Sequence, residues 1–148
     1  MKVLLLIAVA SSGCVASDQF SHAIVSQAVA HVDPAKPDAR AQVSVTLSLI
    51  GGDRDHDAVL ESVALGDVGA LGDVALDLTF PTPTVALQAK TTISQPLVAG
   101  DIRNRTFAGA CETTLPIIAT LSFEDTANLI SDGPPGEIAV FCSAAPPP

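Results

Sequence analysis

The densest run of chemistry-bearing side chains is Asp53-Arg54-Asp55-His56-Asp57, followed by Glu61. Carboxylates at alternate positions of a tight loop can converge on a hard cation, and calcium accepts about six to eight oxygens in irregular geometry. Asp53, Asp55 and Asp57 are therefore candidate calcium ligands, and His56 is a candidate ligand for a transition metal. The spacing matches the opening of a calcium loop but not its continuation. Ala58 stands where such a loop needs Gly, Ala64 where it needs a bidentate Glu, and Arg54 places a cation inside the run. The competing reading is a solvated connection whose charges keep a sheet edge soluble.

Three cysteines, Cys14, Cys111 and Cys142, are too few for a thiolate metal site, and none forms a CxxC pair. Cys111 and Cys142 are expected to form a disulfide, worth about 3–4 kcal/mol for a loop of this length in the chain-entropy model. His22, His31 and His56 show no cluster in sequence. Along an unbroken strand, His22 and His31 have opposite parity and fall on different faces. The only Met is Met1, so a mixed Met/His copper site lacks its soft ligands. There is no G-x-S-x-G elbow, no H-E-x-x-H and no phosphate-cradling G-x-x-x-x-G-K run. The chain is expected to be non-catalytic and to need no cofactor, calcium apart. Asn104-Arg105-Thr106 has the form of a glycosylation sequon.

Composition narrows the partners. The chain has 148 residues, 7 basic and 16 acidic, a formal charge of −9, and only 3% aromatic residues, all of them Phe. A chain with a pI near 4.4 repels phosphate backbones, and without Tyr or Trp it lacks the usual stacking platforms, so no nucleic acid is expected. The length suits one domain.

The elements that would position these residues are short strands. Gln42, Ser44, Thr46 and Ser48 alternate with Val43, Val45, Leu47 and Leu49, the period of a half-buried strand. Further strands are expected at Ala23–Val32, Ala58–Leu65, Val74–Phe80, Thr84–Ile93, Ile117–Phe123 and Glu137–Ser143. Pro81, Pro83 and Pro96 mark breaks or edges. The repeat Ala64-Leu65-Gly66-Asp67-Val68-Gly69, Ala70-Leu71-Gly72-Asp73-Val74-Ala75 is too short for a solenoid and reads as a lengthened connection between strands. About seven strands with little helical periodicity predict an all-β fold, a single antiparallel sandwich. Its strand count and rhythm resemble the immunoglobulin-like sandwiches of bacterial envelope proteins, without the core Trp or an early Cys of true immunoglobulin domains. Fold analogy of this kind carries little function.

The N-terminus has the form of a secretory signal peptide: Lys2, an apolar run from Val3 to Ala10, then small residues. As a helix that run rises about 12 Å, short of a hydrocarbon core of about 30 Å. Ser11-Ser12-Gly13-Cys14 resembles a bacterial lipobox, with Ser11 where the pattern has an aliphatic residue. The resemblance implies that Cys14 is lipidated and becomes the new N-terminus. Cleavage after Ala16, releasing a soluble protein, is the other reading. The expected organisation is a signal peptide at 1–13 (or to 16), a tether at 14–22, a β-sandwich at 23–143 and a Pro-rich tail at 144–148.

Together these features predict an exported, lipid-anchored envelope module, structural or protein-binding, held to a membrane by its lipid and meeting an envelope protein partner. Val15 follows Cys14 where an Asp would favour the inner membrane, so the resemblance implies the outer membrane or periplasm. The alternatives are a calcium-binding secreted module and a soluble periplasmic carrier of an apolar ligand, which the aliphatic content would serve.

Overall fold

A computed structural model describes residues 21–66, 73–124, 130–132 and 136–142. The leader, Cys14, both cleavage alternatives, Asp67 with half of the repeat, and the tail lie outside these residues. The protein is all-β: the described residues form eleven strands and a 3-10 turn at Asn104–Phe107. The strands are β1 (His22–Val32), β2 (Gln42–Ile50), β3 (His56–Leu65), β4 (Val74–Leu76), β5 (Leu78–Thr79), β6 (Val85–Leu87), β7 (Thr92–Pro96), β8 (Val98–Ala99), β9 (Thr113–Glu124), β10 (Ile130–Asp132) and β11 (Gly136–Cys142).

One sheet runs β4-β3-β9-β11-β1-β2-β7, with β6 also on β3 and β10 also on β9. The pairs are antiparallel except β1 with β11, which run parallel from Val29↔Ala139 to Val32↔Cys142. β11 lies antiparallel to β9, and its other neighbour is the first strand, running the same way. The sheet curls because its two edge arms exchange partners. β4 continues through Asp77 into β5, β7 continues through Leu97 into β8, and β5 pairs with β8. Bulges between Val25 and Gln27 in β1 and between Leu60 and Ser62 in β3 add local twist.

These partner exchanges explain why there are more strands than the sequence pattern suggests. The alternating run Val74–Phe80 is interrupted at Asp77. The run Thr84–Ile93 is cut by a turn at Gln88–Thr91, where Lys90 takes φ 56°, so β6 joins β3 while β7 joins β2. Pro116 sits inside β9 at a point where its missing N–H costs little: its carbonyl accepts from Gly66 N–H, one step past the last β3 pair, Ile117↔Leu65. The two ends of the repeat meet in the β3–β4 hairpin, Ala64 opposite Ala75 and Leu65 opposite Val74, in keeping with an extended connection between strands.

The inward rows form one aliphatic core. Val45, Leu47 and Leu49 of β2, Val63 and Leu65 of β3, Ile117 and Leu121 of β9, and Ile138 and Val140 of β11 are all buried. Phe107, the largest fully buried side chain, enters from the 3-10 turn. Each such Leu or Ile contributes about 1.5–3 kcal/mol through burial.

Candidate functional site

The acidic run lies in the connection from β2 to β3, and its backbone explains its shape. Gly51 N–H donates to Thr91 C=O at 2.7 Å, and Lys90 N–H donates to Gly52 C=O at 2.8 Å. The two connections are so close that a Cβ on Gly51 would lie 2.2 Å from the Gln88 carbonyl oxygen. Asp55 Oδ1 accepts the Ala89 N–H at 2.8 Å, and Asp53 lies 4.0 Å from Lys90 Nζ. Asp57 is already in β3, opposite Ala86 and Glu124.

The carboxylates of Asp53, Asp55 and Asp57 therefore do not converge. Asp55 holds one turn against another, Asp53 faces an ammonium, and Asp57 belongs to a ladder. Among the described residues, no group of three His, Cys, Asp or Glu is placed to hold a metal ion. The calcium-ligand expectation for Asp53, Asp55 and Asp57 therefore has no cluster behind it among the described residues. Alternate spacing brings carboxylates together only if the loop closes on itself, and this loop closes on the Gln88–Thr91 turn instead. His56 is half-buried with its ring tilted against Phe123 at 6.1 Å, and its Nδ1 is buried without a hydrogen-bond partner.

The bulge in β1 also overturns the parity argument for the other histidines. Ala23 and Val25 face the core before it, and Ala28, Ala30 and Val32 face the core after it. The extra residue restores the phase, so His22 and His31 lie on the same outer face. They remain seven or more positions from each other along it, at opposite ends of β1. His31 stacks on Phe141 of β11 at 5.5 Å, with 24° between the rings.

The opposite end of the molecule carries the densest side-chain network. Here the β1–β2 connection, residues 33–41, meets the segment 100–112 between β8 and β9. Backbone N–H groups of Ala41, Asn104 and Arg105 donate to the carbonyls of Ile102, Ala39 and Pro37 at 2.9–3.0 Å. Arg103 donates to the Asp38 carbonyl and to Asp101 Oδ2, each at 2.7 Å. Arg40 donates to Asp101 Oδ1 at 3.3 Å, and Arg105 donates to Asp38 Oδ1 at 2.9 Å. The hydrogen bond from Arg103 holds the Asp101 carboxyl below its ordinary value against the opposing effect of desolvation, with the positive charges of Arg103 and Arg40 adding to the lowering.

Asn104 is buried in this network, with its Nδ2 donating to the Lys36 carbonyl at 2.7 Å. Its amide nitrogen is thus occupied and enclosed, which rules the sequon out as a modification site on the folded chain. Beside it, Val32, Pro34, Pro37, Phe107 and Cys111 line an open apolar pocket of about 160 Å³ with Arg105 at its margin. The Cys111–Cys142 disulfide is formed, with a Cα–Cα distance of 5.2 Å, and ties this end to β11. Glu112, at φ 56°, reinforces the tie: its N–H donates to the Val140 carbonyl at 2.8 Å and its carboxylate accepts the Cys142 N–H at 3.0 Å.

Sequence reasoning singled out none of the ion pairs of this network. One compositional signal was available, since Lys36, Arg40, Arg103 and Arg105 are four of the chain's seven basic residues and fall in two short segments. The carboxylate partners of Arg40 and Arg105 become visible only once the fold brings residues more than sixty positions apart together.

No protein-family model matches the chain, and no curated protein matches it in sequence. Among solved structures, the chain is similar to the periplasmic chaperone SfaE, with a TM-score of 0.40 and 10% sequence identity over 86% of this chain and 60% of that one. The chain thus spans less than two thirds of that protein's length. A similarity of this size says nothing about what the chain does.

Proposed function

We propose that the chain is an exported envelope module, lipid-anchored through Cys14, that works by contact with other proteins and not by catalysis. The observation that carries the exported part is the Cys111–Cys142 bridge, which has Cys111 exposed at the surface. Such a bond persists in an oxidising compartment and is reduced in the cytosol. The leader supports the same destination, and the lipobox-like Ser11-Ser12-Gly13-Cys14 supports the anchor. Outer-membrane placement rests on Val15 alone and is the finest part of the proposal.

Among the described residues, the form of the interior supports the interaction reading more than a carrier. The inward rows are packed into a single aliphatic core, and the pocket beside Phe107, at about 160 Å³, is below the range of about 300–1,000 Å³ for small-molecule sites. It has room for one side chain of a partner.

The mature N-terminus decides the anchor. Mass spectrometry of the protein from an envelope fraction is expected to find residue 14 at the terminus carrying diacylglycerol, and globomycin is expected to block its appearance. An unmodified terminus at Ser17 would overturn the anchor while leaving export intact. Recovery of the whole chain in the cytosol with free thiols would overturn both.

A further inference from the structure

Among the described residues, β7 is an edge strand that pairs with β2 on one side only. Gly51 N–H donates to Thr91 C=O, and Leu97 N–H donates to Val45 C=O, so the odd-numbered residues from 91 to 97 turn their backbone groups towards β2. The ladder between Thr46↔Pro96 and Ile50↔Thr92 has no register shift. Thr92, Ser94 and Pro96 therefore turn theirs outward. The edge offers the N–H groups of Thr92 and Ser94 and the C=O groups of all three, one of which, that of Pro96, also accepts weakly from Gln95 Nε2 at 3.3 Å. Edge strands usually carry charges, bulges or prolines that discourage pairing. Thr92-Ile93-Ser94-Gln95-Pro96 has no charge and no bulge, and its one proline, Pro96, stands at the end of the strand.

We propose that β7 pairs antiparallel with β7 of a second copy of the chain, about a twofold axis at Ser94. This goes beyond the interaction reading above and does not depend on it. The register is chosen by the hydrogen bonds. With Ser94 opposite Ser94, the two Ser94 residues exchange N–H···O=C bonds, and each Thr92 N–H meets the Pro96 carbonyl of the other copy. Every outward N–H then has an acceptor. The N–H that Pro96 lacks leaves only a Thr92 carbonyl on each side, which faces water. A second copy suits this edge because neither β7 carries a charge, so the contact itself is free of like-charge opposition. The remaining repulsion is between whole molecules of formal charge −9. It acts at longer range and is screened by salt. One strand pair is a small interface, so the association is weak in dilute solution and is raised where copies are concentrated, as on a membrane.

The test uses the full exported protein, first by sedimentation and then by cross-linking. Self-association is expected to strengthen from about 0.01 M to 0.15 M salt, and Ser94→Pro, which deletes one outward donor, is expected to abolish it. Opposed strand residues have Cα atoms about 5.5 Å apart, within disulfide range, so Ser94→Cys is expected to give a covalent dimer under oxidation. Ser44→Cys, exposed on the outer face of β2, is expected to stay monomeric and controls for random encounter. Equal yields from the two variants, or no dimer from Ser94→Cys in protein whose Cys111–Cys142 bridge is intact, would overturn the proposal. That result would leave export and anchoring untouched.

Discussion

Asp101 is the residue on which the network at the disulfide end turns, because its carboxylate accepts from two guanidinium groups, those of Arg103 and Arg40. Its folded-state pKa is lowered, so the sign is that of a depressed carboxylate. The stabilisation is fully present above the ordinary value of 3.8 and is lost as pH falls through the lower, folded-state value. Asp101→Asn should therefore be less stable than the parent near neutral pH, with the gap closing as pH drops below about 4. Urea midpoints measured across that range check it, and a gap independent of pH would show that the carboxylate charge is not what the arginines hold. A second residue-scale expectation concerns the acidic connection. With Asp55 committed to Ala89 and Asp53 facing Lys90, thermal melts in calcium and in chelator should coincide, whereas an ion bound only by the folded chain would raise the midpoint. The acidic run was conspicuous in sequence and the Asp101 network was not. Spacing along a chain reports local convergence, while the partners of Asp101 come from a segment sixty residues earlier as well as from its own neighbour.

The element most dependent on a single residue is the crossing of the β2–β3 connection beneath the Gln88–Thr91 turn. A methyl group at Gly51 meets backbone, not a side chain that could rotate away, so Gly51→Ala should cost about 1–3 kcal/mol through overpacking. Gly109→Ala makes the useful contrast. Nothing lies within 4 Å of its Cβ position, but its φ of 82° imposes a backbone cost of about 1–2 kcal/mol. Chemical denaturation of both variants, with β7 followed by hydrogen exchange, should show the first loosening the β2–β7 edge and the second leaving it protected. The same elements show what patterning can and cannot reveal. The β2 alternation was readable because one face of that strand is buried from Val45 to Leu49, with Val43 packed against the same core. The division of Thr84–Ile93 into β6 and β7 was not, because Val85, Leu87 and Ile93 keep an alternating order while the chain passes from one arm of the sheet to the other. The β1 bulge was equally hidden: Ser26 looks like any polar strand residue, yet it reverses the face of everything before it.

For the molecule as a whole, the disulfide is the fastener of a light core. The interior is mostly Val, Leu, Ile and Ala, with Phe80, Phe107 and Phe123 its only aromatic members among the described residues. β11, which the bridge anchors, lies between β9 and β1 at the centre of the sheet. Its hold on β1 is a parallel ladder of only four pairs, ending at Val32↔Cys142. Opening the bridge releases that end from the 100–112 segment and leaves Glu112 as the remaining tie. For a sequence separation of 31 the chain-entropy model gives about 3–4 kcal/mol, a large part of the stability of a domain this size. The Cys111→Ala/Cys142→Ala double variant should then melt lower by on the order of 10–20 °C, with the lost protection concentrated in β11 and the last residues of β1. Reduction of the parent protein should give the same shift. Because the described fold has its own continuous core, the variant is expected to remain folded at low temperature, which separates a fastener from a nucleus. A melting temperature unchanged after both thiols are shown to be free would mean that the β11–β1 ladder and Glu112 hold the strand without the bridge.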